Sequence, residues 1–348
     1  MTVSELLEGF PCQTSAGEEG WLMQVKLELH RNIRGMRFPS ACGQQEKRRA
    51  SQVVKNAMDQ RNSSETDKMD CLGLAGLSEN ERELLADKGW LPAGESLQTG
   101  YLWTNQHADT GAFVGGRDHL CLEFLQNHSD TDALWRKASF LDSQLGSFID
   151  YAFDKEFGYL TASPALAGTG MKLSALLYLP GLAEQQFLSE LRDAAARGGF
   201  SLRRAGESDS AAPYFRLENT VTLGVSEAAL AERMTGLLKD IGKAENRARD
   251  LLLHEQEMLM KDRIWRALGV LKYARLIGKE ETERCAGLVQ LGMEINMFPK
   301  KENLFRNLLG TASPAFVREK THNENLDEEG VRLWRAVLLR ELVNAVGL

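Results

Sequence analysis

The spacing of apolar residues changes along this chain, and that change limits the folds open to it. Leu120, Leu122 and Phe124 alternate with Cys121 and Glu123, and Met171, Leu173, Ala175, Leu177 and Leu179 alternate with their neighbours in the same way. A period of two is that of a β-strand. The short β-branched run TVTLG at 220–224 reads as a further strand. From residue 230 the period lengthens. Leu230, Met234, Leu237, Ile241, Ala244, Ala248 and Leu251 recur at spacings of four and three, which predicts one long amphipathic helix with a continuous apolar stripe. Further helices are expected at 262–277, 279–292 and 327–345, separated only by loops. Nearer the start, 44–60 reads as a polar surface helix and NSSETDK at 62–68 as a loop. Residues 78–88 read as a helix opened by Ser78 ahead of Glu79 and Glu81. FSLRRAGESDSAAP at 200–213 reads as a conspicuous loop. The expected class is α+β: a mixed domain over 1–257, then a small all-helical domain over 258–348.

The 348 residues are more than one typical core holds, which agrees with two domains. A net charge of -7 argues against a dedicated nucleic-acid binder. No apolar run approaches the roughly 18 residues of a membrane span. The start, MTVSELLEGFPCQ, lacks the basic and apolar regions of a signal peptide, so a cytoplasmic location is expected. Cysteines at 12, 42, 71, 121 and 285 form no CxxC pair, and no HExxH, GxSxG or GxxxxGK[ST] pattern occurs. No metal site and no disulfide framework are therefore expected.

Several stretches in order carry a resemblance. They are HRNIRGMRFP at 30–39, LSENERELLADKGWLP at 77–92, RDHLCLEF at 117–124, the run 150–182 through its Gly-Thr-Gly loop, LENTVTLGVSE at 217–227, DRIWRALGVLKYARLI at 262–277 and GLVQLGMEIN at 287–296. Together they resemble the bacterial protein-arginine kinases of the ATP:guanido phosphotransferase (phosphagen kinase) family. The resemblance implies an antiparallel sheet lined by helices, of the guanido kinase or glutamine-synthetase-like kind, followed by a helical domain. It implies ATP with Mg2+ as co-substrate and arginine side chains of proteins as acceptors. It also implies a place in protein quality control, with protein clients, a small zinc-binding activator and the Clp ATPase and protease as partners. Neither nucleic acid nor membrane is among these partners, and a homodimer is left open.

Phosphoryl transfer asks for positioning and positive charge around the phosphate, and arginine forks supply both. The resemblance places two phosphate-binding arginines of the family at Lys26 and Glu28, a third at Cys121 and a fourth at Lys172. Its Asn-Glu-Glu falls on Gly115, Gly116 and Arg117, so a guanidinium stands where the catalytic carboxylate belongs. Asp118 and His119 persist. The cysteine position is Ser163, with Ala165 and Leu166 beside it, while Gly168, Thr169 and Gly170 survive and could let backbone approach a ligand. Arg203 or Arg204 with Gly206 and Glu207 would supply the remaining arginine pattern. In the helical domain, Arg335 and Ala336 keep half of a motif that binds phosphoarginine in the family, and Val331 and Arg332 do not.

Three readings follow. The first is a catalytically impaired homologue that binds or regulates, a pseudokinase. The second is a working protein-arginine kinase with a rebuilt site using Arg117, Lys26, Lys172, Arg203 and Arg204. The third is a scaffold for another anionic ligand. The first is preferred. It expects Lys26, Cys121, Ser163 and Lys172 to face one cleft.

Overall fold

The computed structural model describes residues 3, 20–65, 67–91, 100–184, 187–205, 212–301 and 303–348. In chain order the elements are β1 (Leu22–Arg31), α1 (Gln44–Ser64), β2 (Asp70–Gly73), α2 (Glu79–Asp87), β3 (Tyr101–Thr104), β4 (Thr110–Val114), β5 (Leu120–Gln126), α3 (Thr131–Gly146), the small β6 (Phe153–Asp154) and β7 (Gly158–Tyr159), and β8 (Met171–Tyr178). They continue with α4 (Pro180–Glu184), α5 (Leu188–Arg197), β9 (Phe200–Arg204), β10 (Tyr214–Asn219), α6 (Glu227–Glu255), α7 (Glu257–Tyr273), α8 (Lys279–Glu294), α9 (Leu304–Gly310), α10 (Pro314–Thr321) and α11 (Glu328–Ala345).

Eight strands form one antiparallel sheet in the order β2-β3-β4-β5-β1-β8-β10-β9. Its two faces follow from the period-two pattern. Val25, Leu27 and Leu29 of β1, Leu122 and Phe124 of β5, Leu173, Ala175 and Leu177 of β8, and Phe215 and Leu217 of β10 enter one core beneath α1, α3 and α6. Each of the Val, Leu and Phe side chains contributes about 1.5–3 kcal/mol on burial. A one-residue slip would turn them all to the other face, so the register is strongly fixed. The other face carries the alternate residues: Lys26, Glu28 and His30, then Cys121 and Glu123, Lys172 and Ser174, and Arg216.

Helix starts obey local chemistry. Ser78 Oγ accepts from Glu81 N at 3.2 Å while Glu81 Oε2 accepts from Ser78 N at 2.8 Å, a reciprocal cap. Asp130, Ser226 and Asp327 cap α3, α6 and α11 in the simpler way. Glu245 on α6 accepts the amides of Gly181 and Leu182 at 2.9 and 3.0 Å, which locks α4 to α6. Arg249, one turn on, bonds both Glu245 and Glu294 and so ties α8 to the same helix.

Several expectations are corrected. The segment 62–68 is not all loop: α1 runs to Ser64, and the Ser63 and Ser64 hydroxyls donate to the Asp59 and Gln60 carbonyls of the helix. Thr220–Gly224 is no strand. Thr222 O accepts from Thr169 N at 3.0 Å and its hydroxyl donates to Ala165 O at 2.9 Å, so this segment clamps a loop, and β10 precedes it. The start of 200–213 is β9, and 206–211 lie outside the described residues. The stripe of α6 rotates at its end: Leu252 is buried and Leu251 is 47% exposed. Two short helices, α9 and α10, stand before α11, where only loop was expected. Cys42, Cys71, Cys121 and Cys285 are free thiols. Among the described residues no helix is long and apolar enough to cross a membrane.

Arg335, 2% exposed, donates to three carbonyls, of Thr311, Ile277 and Ala312, at 2.9, 3.0 and 3.0 Å. It fastens α11 to the turns after α7 and α9. Arg335→Ala should lower stability by roughly 3–5 kcal/mol, since three buried acceptors lose a charged donor. Arg335→Lys should recover less than half, because one ammonium cannot reproduce the planar fork. Urea unfolding of the three proteins checks this, and a neutral Arg335→Ala would contradict it.

Candidate functional site

The polar face of the sheet forms the floor of a cleft of 1120 Å³. Lys26, Cys121, Ser163 and Lys172 all line it, together with Glu28, His30, Gly116, Arg117 and Asp118. One wall is the end of α2 and the turn at Lys88 and Gly89. The C-terminal helices also line the cleft, with Lys279, Glu283, Arg306 and Phe316. They also brace α2: Asn80 Nδ2 donates to Ala315 O at 3.2 Å, Ser313 bonds Asp87, and Arg318 pairs with Glu83.

Lys26 is the centre of the floor. Its ammonium donates to Gly89 O at 2.5 Å and to Glu123 Oε1 at 3.1 Å, and lies 2.9 Å from Glu28 Oε1. An ammonium has three N–H donors, and these three acceptors take them all. Burial alone would lower this ammonium, but the Glu123 and Glu28 carboxylates outweigh burial and hold it well above its ordinary value. Glu28 is also 3.6 Å from Lys172, which in turn lies 3.9 Å from Glu218. Burial would raise Glu28, but Lys26 and then Lys172 pull it down to about 2. Glu123 is pushed the other way, up to about 8: burial dominates, Lys26 opposes it and Glu28 adds to it. One carboxylate thus holds its charge between two lysines, and its cross-strand partner holds its proton more tightly.

Asp118, which matches a catalytic position in the resemblance, acts as a brace in the fold. Its carboxylate accepts from Asn32 Nδ2 at 2.6 Å and Ala162 N at 2.7 Å, and lies 3.1 Å from His30 Nδ1. Burial would raise it, and these hydrogen bonds from His30, Ala162 and Asn32 lower it below the usual carboxylate range. His119 does not line the cleft. It is buried, and its Nδ1 accepts from Ile33 N at 3.2 Å. Arg117 is exposed at the mouth. The turn before it has its own shape: Gly115 sits at φ +117, and a Cβ on Gly116 would come 2.7 Å from the Phe113 ring. Side chains are thereby excluded at both positions where the resemblance expects Asn and Glu.

The Gly-Thr-Gly loop is also structural. A Cβ on Gly170 would strike Arg31 and His30 O at 2.6 Å, and one on Gly168 would strike Thr222 O at 2.2 Å. Thr169 O accepts from Arg31, which Asp142 grips and Tyr159 covers at 3.5 Å. These glycines admit protein backbone, not a ligand. Arg203 and Arg204 lie on β9 and do not line the cleft, and Glu207 is outside the described residues. Arg216, which pairs with Arg203 in register, does line it and was missed in the sequence. So were His30 and Glu123. The signal for both was present: each shares a strand face, two residues away, with a residue already singled out.

The family model described as the ATP:guanido phosphotransferase C-terminal catalytic domain matches residues 49–248. That described as the protein-arginine kinase McsB C-terminal domain matches 257–347. A protein-arginine kinase of Desulforamulus reducens is 27% identical over 340 residues, covering 96% of this chain and 95% of its own. One from Staphylococcus saprophyticus is 30% identical over 242 residues, covering 69% and 70%. Among solved structures, lombricine kinase superposes with a TM-score of 0.57 at 17% identity, covering 67% of this chain and 68% of that one. A duplicated taurocyamine kinase of Schistosoma mansoni gives 0.55 at 18%, covering 65% and 32%.

Lys26 therefore holds two carboxylates and a helix turn together. Lys26→Met should cost about 2–3 kcal/mol of stability, because it takes the nearer cation from Glu28 and leaves it beside Glu123 with only the longer 3.6 Å contact to Lys172. Adding Glu123→Gln should recover at least half, and a double-mutant cycle by thermal unfolding measures the coupling. Strict additivity of the two changes would sink the idea that they form one cluster.

Proposed function

We propose, from the premise that this chain belongs to the ATP:guanido phosphotransferase family and to its protein-arginine kinase branch, that it is a catalytically impaired member that acts by binding or regulation. The family is ATP-dependent, so the fit of a magnesium-bound triphosphate to this cleft decides the matter. The observation that carries the reading is the saturation of Lys26 by Gly89, Glu123 and Glu28. A phosphate oxygen would have to displace a carboxylate to reach that ammonium. It would also meet Glu28 itself. A carboxylate about 4 Å from a phosphate charge costs roughly 4 kcal/mol at an effective dielectric near 20. The residues present do not fit a triphosphate at this point of the floor.

The acceptor side is equally altered. An arginine substrate needs a carboxylate that grips its guanidinium and takes a proton as nitrogen attacks. Arg117 offers a like charge, and Asp118 already has three hydrogen-bond partners. Glu123 retains a proton more readily than an ordinary carboxylate, but it lies on the floor against Lys26. In this reading the family's protein clients, its zinc-binding activator and the Clp machinery are binding partners, and quality control is the setting in which to look for them.

Incubation with radiolabelled ATP, magnesium and a model protein should transfer no acid-labile, base-stable label. Ser163→Cys alone should restore none. The smallest repair expected to give signal joins Glu28→Arg, Cys121→Arg and Arg117→Glu, and it omits Gly116→Glu because the Phe113 ring occupies that space. Robust transfer by the unmodified chain, abolished by Lys172→Ala, would overturn this reading in favour of a rebuilt kinase.

A further inference from the structure

Two of the positions where the resemblance calls for phosphate-binding arginines, 28 and 121, lie beside His30 on the same face of the sheet. His30 and Cys121 are directly opposite in the register of β1 and β5, and Glu28 is the next residue on that face of β1. Among the described residues, Glu28, His30 and Cys121 are the one set of three such side chains whose donor atoms all come within 4.8 Å of one another. We propose that these three side chains form a binding site for a zinc-like divalent transition-metal ion on the floor of the cleft.

The donor set is chemically apt. One carboxylate oxygen, one imidazole nitrogen and one thiolate suit a borderline-soft ion and disfavour magnesium, which prefers oxygen alone. His30 Nε2 lies 4.0 Å from Cys121 Sγ. Tetrahedral bonds of about 2.0–2.3 Å would hold such a pair roughly 3.5 Å apart, so a small side-chain adjustment closes the site. His30 is oriented for the task. Its Nδ1 faces Asp118 at 3.1 Å, the carboxylate–imidazole arrangement that leaves Nε2 as the ligating atom. Asp118 is itself fixed by Asn32 and Ala162, so the ring has little freedom.

Charge and access also fit. On binding, the Cys121 thiol gives its proton to solvent as the sulfur–metal bond forms, and the new thiolate with Glu28 balances the ion's two charges. Glu28 keeps Lys26 on Oε1, while Oε2 has the longer 3.6 Å contact with Lys172. Glu123, the register partner of Glu28 and only 3% exposed, has a buried Oε2 with no hydrogen-bond partner. Three protein ligands leave a fourth position open, and all three residues line the cleft. This site goes beyond the impaired-kinase reading and stands without it, since metal binding and phosphoryl transfer are read separately.

The test is a titration of the chelator-stripped full chain with Zn2+ in competition with a chromophoric chelator, and with Co2+ for its spectrum. One equivalent should bind, and cobalt should show a thiolate charge-transfer band in the near ultraviolet. Cys121→Ser should abolish the band and weaken binding at least tenfold, His30→Gln should weaken it at least tenfold, and Cys285→Ala should change neither. Circular dichroism verifies that each variant is folded. Independently of any variant, zinc should protect Cys121 from alkylation in the unmodified chain and leave Cys71 reactive. Absence of stoichiometric binding, a band that survives Cys121→Ser, or a Cys121 that alkylates equally with and without zinc would each overturn the proposal.

Discussion

One ammonium group organises the cleft. Lys26 has three donors, and the fold supplies three acceptors from three places: a turn after α2, strand β5 and its own strand. In a partly desolvated site an unpaired carboxylate is costly, so each member of this cluster depends on the others. The same contacts fix the α2 turn against the sheet, and the C-terminal helices then hold α2 from outside. A cleft built this way is rigid at its floor. Lys26 and Lys172 are committed to carboxylates of the sheet, and this separates them from arginine forks presented to phosphate.

Around that centre, other polar residues and glycines have structural work. Arg31 joins Asp142, Thr169 and the Tyr159 ring. Asp118 ties β1, the loop before β8 and His30 together. Gly168 and Gly170 let that loop pack on Thr222 and Arg31. These side chains shape the site through contacts with the rest of the protein, and they are distinct from the lysine and carboxylate cluster on its floor.

Much of this was legible in the sequence. The alternation in β5 and β8 gave the two faces of the sheet, since a period of two admits one arrangement once a face is buried. Ser78 with Glu81 marked a helix start because the cap is a local contact. The co-location of Lys26, Cys121, Ser163 and Lys172 came from the resemblance and not from spacing. What escaped was long-range. Nothing local says that Lys26 meets Gly89, 63 residues away, or Glu123, 97 residues away. The Glu28, His30 and Cys121 set escaped a motif search for the same reason: its ligands lie on two strands, not at short spacing on one segment. TVTLG misled because its backbone bonds go to loops and not to a neighbouring strand: Thr169 N donates to Thr222 O, and Thr220 N donates to Gly199 O.

The most direct test of the central claim is calorimetric titration of the unmodified chain and of Glu28→Gln with magnesium–ATP. If the floor's positive charge is committed internally, the unmodified chain should not saturate below roughly 1 mM nucleotide, and removing the Glu28 charge should tighten binding about tenfold or more. Micromolar affinity in the unmodified chain, unchanged by Glu28→Gln, would contradict the account.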